Sequence, residues 1–264
     1  MLTNIYHITY TPDIKEAELF FWGCNMDCRG CLCKKEIWDF LIKETMSSKF
    51  DVPSGTHSKP PKHFLQLDEV MQILGKLEIK QVTMGGMEPT MDPIFPLLTK
   101  TLHDRFRCFN VVFTNLYEMP SLEDTDLVVF GLNAVTDTLH QDYTGKSNHK
   151  ILENFGKVYQ SGKKVSVSTP LIPGYIGNEE IENIARYFAG IDRNIPYFIR
   201  PFFKAGDNPW RQPTHEEMDE VVGIARKHLA KVNFLYGDES LKFEVFTIFP
   251  ESAALAEILG QTLN

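Results

Sequence analysis

The sequence predicts an α/β fold, a partial, TIM-like (β/α)6 barrel with parallel strands. Three observations point to it. Apolar, strand-like runs alternate with segments of helical period about every thirty residues. Such alternation calls for parallel strands joined by right-handed crossovers. At 264 residues an eight-unit barrel would be cramped, whereas six units fit. The residues with the most distinctive chemistry fall at the ends of the strand-like runs, where parallel α/β folds carry their sites. No internal repeat, low-complexity tract or domain boundary stands out, so residues 1–264 read as one domain. Its core spans about 17–236, and 237–264 read as a C-terminal extension.

The elements follow in order. Residues 17–22 are densely apolar, as a strand buried on both faces would be. Glu36 to Thr45 carries Ile37, Phe40, Leu41 and Ile42 near helical spacing and predicts a short helix. Residues 47–63 hold Ser, Gly, Lys, three prolines and two histidines and predict a long loop. Leu67 to Leu77 predicts a helix, with Val70, Ile73, Leu74 and Leu77 in period and Asp68 near its start. Ile79 to Met84 is a strand that runs into Gly85-Gly86-Met87-Glu88-Pro89-Thr90. Asp92 with Pro93 suits the start of the next helix. Residues 107–113 and 126–132 predict strands, and Ile151 to Gln160 a helix. Lys163 to Thr169 is a strand followed by Leu171-Ile172-Pro173-Gly174. Glu179 to Ala189 is helical, and Pro196 to Phe203 is a strand. Thr214 to Leu229 is a helix opened by a Thr214/Glu217 capping box. Residues 232–236 predict a further strand and 250–260 a last helix.

Composition excludes some classes. The net charge of −8 argues against non-specific nucleic-acid binding. No apolar run approaches a membrane span. Met1 to Tyr10 lacks the basic-then-apolar pattern of a targeting signal. Clustered thiols without such a signal predict a reducing, cytoplasmic setting.

The most telling stretch follows the apolar run Leu19 to Trp22. Cys24, Cys28 and Cys31 are spaced C-x3-C-x2-C. Three thiolates on one short loop can converge on a point. Soft thiolates select iron–sulfur clusters, zinc or copper(I). Zinc wants four ligands, and Cys33 or a nearby His would complete the set. A [4Fe-4S] cluster on three protein ligands leaves one iron open to a substrate or cofactor. Cys33 is also an alternative cluster ligand, and a disulfide framework is a further reading, though a chain this long needs no such staples. Otherwise Cys33, like Cys108, reads as a buried, inert thiol. The remaining candidates lie on the same rim. Gly85, Gly86, Glu88 and Pro89 end the second predicted strand, and Thr114 and Asn115 the third. Asn133 ends the fourth, Ser166 and Ser168 the fifth, and Arg200 the sixth. A Gly-Gly pair alone is usually just a turn.

The cysteine stretch closely resembles the signature of the radical S-adenosylmethionine (SAM) superfamily. That resemblance implies a [4Fe-4S] cluster on Cys24, Cys28 and Cys31, with SAM chelating the open iron. An exposed cluster of this kind further implies an anaerobe. Gly85 and Gly86 would let backbone approach the ligand, Glu88 would accept from the SAM ammonium, and Pro89 would stiffen the turn. Thr114, Asn115, Asn133, Ser168 and Arg200 would complete the cofactor shell. The order of segments is similar to that of the pyruvate formate-lyase activating enzyme family over roughly residues 18–230. Phe20 to Gly23, Trp38-Asp39, the Gly-Met-Glu turn and Leu139-His140-Gln141 have counterparts there. So do Gly145-Lys146-Ser147-Asn148 and Ile172-Pro173-Gly174. The resemblance implies reductive SAM cleavage to a 5′-deoxyadenosyl radical, which abstracts hydrogen from a glycine of a partner enzyme. It also implies a low-potential electron donor such as flavodoxin or ferredoxin. Two other readings stay open: a radical SAM enzyme acting on a small molecule or another peptide, and a non-catalytic iron–sulfur carrier or zinc module.

The chain departs from that family at defined positions. Asp13 to Glu18 stands where the family has a Gly-rich lead with an arginine. The position before the third cysteine, often aromatic, is Gly30, and the usual second glycine of Gly-Gly-Glu is Met87. Acids on the third and fourth strands are Phe113 and Gly131. The fifth-strand arginine is Ser168 and the sixth-strand histidine Phe203. Without the two acids a hard monovalent cation lacks its oxygen ligands. The departures therefore predict no cation site and a SAM carboxylate held by Arg200, with Asn133 and Ser168 as neutral donors.

Overall fold

A computed structural model describes residues 1–32, 60–240 and 242–250. Their strands form one sheet of β1 (Ile5–Thr11), β2 (Glu16–Phe21), β3 (Gln81–Gly86), β4 (Phe109–Thr114), β5 (Leu127–Gly131), β6 (Lys164–Leu171), β7 (Tyr197–Pro201), β8 (Val232–Phe234) and β9 (Phe246–Phe249). The order is β8-β7-β6-β5-β4-β3-β2-β1-β9. Each pair from β2 to β8 is parallel, whereas β1 runs antiparallel to both β2 and β9. The sheet ends, β8 and β9, do not meet, so the barrel is partial and open. The described helices are α1 (Leu67–Leu74), α2 (Phe95–Phe106), α3 (Asp137–Thr144), α4 (His149–Gln160), α5 (Asn178–Ala189) and α6 (His215–Arg226).

Strand side chains alternate between two faces. Asn110 of β4 donates from Nδ2 to the Thr99 carbonyl of α2 at 3.0 Å. Phe130 of β5 stacks on Phe155 of α4 at 5.3 Å and meets Phe188 of α5 edge-on. These positions therefore mark the face under the helices. The alternate positions, Glu18, Gly85, Phe113, Gly131, Ser168 and Arg200, line the concave face, as the strand registers require. The helical face carries the continuous core, with Leu19, Phe21, Met84, Val112 and Phe130 all fully buried. Burying several such side chains, each contributing about 1.5–3 kcal/mol, is what holds the sheet to its helices.

Several sequence expectations shift. The further strand predicted over 232–236 is present as Val232–Phe234, parallel to β7, and brings the parallel strands to seven. Two antiparallel strands join them, and neither is expected from a βα repeat. Ile5–Thr11 is rich in β-branched and aromatic residues and buried throughout. Phe246–Phe249 lies against it within the expected C-terminal extension. The first predicted helix after the loop ends at Leu74, not Leu77, because Gly75 closes it. Asp92 does not cap α2 directly: Ile94 is the N-cap, while Asp92 accepts from Ile94 N at 2.9 Å and from Asn4 N at 2.6 Å. The short helix α3 was not expected, since its eight residues carry little apolar period. β6 continues to Leu171, so Ser166 and Ser168 lie inside the strand rather than at its end. The Thr214/Glu217 capping box is present, with Glu217 N donating to Thr214 Oγ1 at 3.2 Å and Thr214 N to Glu217 Oε2 at 2.8 Å. The helices predicted over 36–45 and 250–260, and nearly all of the 47–63 loop, lie outside the described residues. Among the described residues no helix is long and apolar enough to cross a membrane.

Candidate functional site

The cysteine loop leaves the C-terminal end of β2 and is fixed at once by the end of β3. Met87 N donates to Phe21 O and Glu88 N to Gly23 O, each at 3.0 Å. Gly23 N in turn donates to the Met87 thioether at 3.0 Å. Met87 thus contributes a side-chain acceptor where a glycine would offer none. Gly86 sits at φ +86°, and a Cβ there would lie 2.9 Å from Phe21 N. The neighbouring strand by itself therefore demands glycine at this position. Gly85 and Gly131 are the glycines that leave space on the concave face. A Cβ on Gly85 would meet only a Glu18 oxygen at 3.4 Å, and one on Gly131 only Thr114 O at 3.7 Å.

Glu88 is 2% exposed and its carboxylate ties β3 to β4. Oε1 accepts from Thr90 N at 3.2 Å, Thr90 Oγ1 at 2.5 Å and Thr114 Oγ1 at 2.7 Å. Oε2 accepts from Asn115 N at 2.7 Å. Burial pushes the carboxyl pKa up, and these donors pull it back. Each carboxylate oxygen has about two acceptor sites, and Oε2 accepts one bond here against three at Oε1, so a position on Oε2 is left for a further donor. The Thr114 proton is committed to Glu88, and its hydroxyl also accepts from Leu116 N at 3.0 Å. Pro89 opens a buried turn of 3-10 helix, Pro89–Met91. Asn115 continues the chain of bonds to the cysteines. Its Nδ2 donates to Asn25 Oδ1 at 2.8 Å and approaches Cys24 Sγ at 3.8 Å.

The second half of the loop docks on the C-terminus of α3. Asp27 N donates to Thr144 O at 3.0 Å and Arg29 N to Tyr143 O at 2.9 Å. Carbonyls in the last turn of a helix lack intrahelical partners, and here the cysteine loop supplies them. Cys31 N closes a turn onto Cys28 O at 3.2 Å. The guanidinium of Arg29 bonds Asp142 at 2.6 Å and lies over Trp210 at 4.9 Å. Asn208 Nδ2 holds Arg29 O at 3.2 Å. The 139–148 segments named above build this corner: His140 Nδ1 meets Lys146 O at 2.8 Å, and Asn148 Nδ2 holds Val135 O at 2.8 Å.

Cys24, Cys28 and Cys31 are not in disulfides, with Cys24 exposed and the other two partly covered. Among the described residues no three His, Cys, Asp or Glu side chains are gathered as a ready metal cage. The donor chemistry nevertheless fits a cluster: three unbridged thiols on one loop whose flanks are both anchored. Cys33 lies outside the described residues. Cys108 is buried beside Leu102 O and Asn110 Oδ1, away from the loop's bonding network.

On the opposite wall, Ser168 is 1% exposed and its hydroxyl has no hydrogen-bond partner. Arg200 Nε is likewise buried without one. Burial pulls the Arg200 pKa down, while Tyr143 and the thiols of Cys31 and Cys28 push it up. Arg200 as a whole is half-buried, on the concave face. Asn133 is partly exposed just beyond β5, after Leu132, whose N–H bonds Ser168 O at 3.0 Å. Sequence reasoning missed Met87, Tyr143, Phe202, Asn208 and Trp210 as supports of the cysteine loop. Only Gly30 hinted at them, by leaving a gap that another side chain had to fill.

The model of the radical SAM superfamily matches residues 20–188. A Methanocaldococcus jannaschii protein assigned as a glycyl-radical enzyme activating enzyme is 26% identical over 240 residues, 88% of this chain and 84% of its own length. The isethionate sulfite-lyase activating enzyme of Oleidesulfovibrio alaskensis is 32% identical over 47% of this chain and 42% of its own. The pyruvate formate-lyase 1-activating enzyme of Escherichia coli K12 is 27% identical over 43% of this chain and 51% of its own. Among solved structures, SuiB of Streptococcus suis bound to S-adenosylmethionine shares the fold, with TM-score 0.60 and 12% identity over 80% of this chain and 47% of its own.

Proposed function

The chain belongs to the radical SAM superfamily, and we propose that it is an activating-enzyme-like member that raises a glycyl radical on a partner protein. The observation that carries this reading is the three-thiol loop, anchored to β3 on one side and to α3 on the other. The names of the relatives that match it add the partner class. Enzymes of this family use a [4Fe-4S] cluster and SAM, which together supply a 5′-deoxyadenosyl radical for hydrogen-atom abstraction.

The chain's own residues have distinct tasks in this proposal. Cys24, Cys28 and Cys31 hold the cluster. Gly85 and Gly131 leave the hollow in which SAM lies. Glu88 and Thr114 brace the β3–β4 rim, and the remaining acceptor site on Glu88 Oε2 takes the SAM ammonium. Gly86, Pro89 and Asn115 fix the rim's backbone and join it to the cysteine loop. Arg200 neutralises the SAM carboxylate, because its half-buried side chain keeps a buried, unpartnered Nε and a carboxylate drawn out of water needs a partner. Ser168 and Asn133 add neutral donors. The open sheet admits a segment of the partner to the concave face, and a low-potential flavodoxin or ferredoxin supplies the electron. Residues 1–264 act as one domain in this reading.

The test is anaerobic reconstitution with iron, sulfide, SAM and a reductant. Formation of 5′-deoxyadenosine is expected, and its absence contradicts the enzyme reading. Addition of a glycyl-radical-class partner should then give the doublet of a glycyl radical by electron paramagnetic resonance. Turnover of SAM without that signal on any such partner would reject the activating branch alone.

A further inference from the structure

Gly30 directly precedes Cys31, inside the turn that Cys31 N closes onto Cys28 O. A Cβ at this position would stand 2.7 Å from Phe202 Cε2 and 2.9 Å from the Tyr143 hydroxyl. Neither obstacle is a mobile tip. Phe202 is 2% exposed and Tyr143 4%, and both rings pack against Trp210, at 6.0 Å and 5.6 Å between centroids. The ring of Phe202 thus fills the volume that any side chain at position 30 would claim. It comes from just beyond β7, two residues after Arg200, while Tyr143 belongs to α3.

We infer that Phe202, backed by Tyr143 and Trp210, is a positioning residue for the cluster: it sets the backbone of the Cys28–Cys31 turn from across the barrel. The inference rests on the proposed cluster at Cys24, Cys28 and Cys31. Three contacts already fix that turn from the helix side, through Asp27 N, Arg29 N and the Arg29 guanidinium. Phe202 fixes it from the strand side, where no backbone bond from the described residues reaches Gly30. Interiors pack densely, so a displaced ring shifts what rests on it. The turn holds two of the three thiols, and its geometry fixes how their sulfurs face the iron. Outer contacts of this kind tune a cluster's potential as well as its retention.

The test is a two-by-two set in the full chain: parent, Gly30→Ala, Phe202→Ala and the double variant, each reconstituted anaerobically. Iron and sulfide per chain, the reduced-cluster resonance spectrum and its midpoint potential are read for all four. Gly30→Ala should lose most of its cluster in the parent background and clearly less in the Phe202→Ala background, where only the Tyr143 hydroxyl still opposes the new Cβ. Phe202→Ala alone should shift the spectrum and potential, and Phe202→Leu should keep occupancy close to the parent's. The leucine variant with Gly30→Ala serves if the alanine variant does not fold. Normal loading of Gly30→Ala, or equal loss in both backgrounds, overturns the inference. An unshifted potential in the Phe202 variants does the same. A parent chain that takes up no cluster overturns the underlying reading, and this inference with it.

Discussion

Glu88→Ala separates the two tasks proposed for that carboxylate. Its removal leaves Thr90 N and Asn115 N buried without acceptors, while the two threonine hydroxyls can re-aim. Each orphaned buried donor costs about 1–3 kcal/mol. Relief from burying a carboxylate, whose pKa is raised by that burial, offsets part of this. A net loss of about 3 kcal/mol is expected, which lowers Tm by roughly 6–12 °C for a domain of this size. Cluster content should survive, because no cysteine contacts the missing group directly. SAM affinity should fall roughly ten- to hundredfold if the carboxylate also takes the ammonium. Calorimetry of the metal-free chain reads the first effect, and titration of the loaded chain with SAM reads the second. An unchanged Tm would refute the bracing argument. An unchanged SAM affinity beside a lowered Tm would leave Glu88 a strut and refute its contact with the cofactor.

Cys24→Ala, Cys28→Ala and Cys31→Ala should each abolish cluster incorporation by iron and sulfide analysis, whereas Cys33→Ala and Cys108→Ala should retain it; an empty site in Cys33→Ala would refute the ligand set. Arg200→Ala should weaken SAM binding with the cluster intact, and normal SAM affinity in that variant would refute the anion role. SAM cleavage should be indifferent to sodium, potassium or a bulky organic cation at matched ionic strength, and a strong preference for one alkali cation would contradict the expected loss of the cation site. His7 is 1% exposed, and burial outweighs a backbone hydrogen bond with Phe249 to lower its pKa from 6.5 to about 4. The unfolded chain then binds a proton that the folded chain refuses, so stability present above pH 6.5 is lost as pH falls toward 4, by on the order of 3 kcal/mol. His7→Phe should flatten that slope in denaturant melts at pH 7 and pH 5, and an unaltered slope would count against the assignment.

The repeat of strand and helix was legible because β2 to β8 each bury one face under a helix and so carry dense apolar runs. The cysteine spacing was legible because its chemistry is local: three ligands lie on one loop. What escaped depends on contacts distant in sequence. β1 and β9 do not belong to the βα repeat, and β9 has only four residues. α3 is short and polar, and Glu180 anchors its start from α5, accepting from Val135 N at 2.7 Å and Thr136 N at 3.0 Å. Glu88 was legible as a residue of importance but not as a brace, since its partners are Thr114 and Asn115 on the next strand. The role of Gly30 needed Phe202, more than 170 positions away, before its missing side chain had a reason.

The pairing of β1 with β9 has a consequence for how the chain is made. Tyr10 meets Phe246, Thr9 meets Thr247 and Ile8 meets Phe249, so the outer edge of an early strand waits for a segment made far later. A ribosome adding about 5–20 residues per second leaves that edge bare for roughly ten to fifty seconds. A bare edge is a template for pairing with another nascent chain. Such a polypeptide has its greatest need of a chaperone during translation rather than after release, when β9 can close over β1.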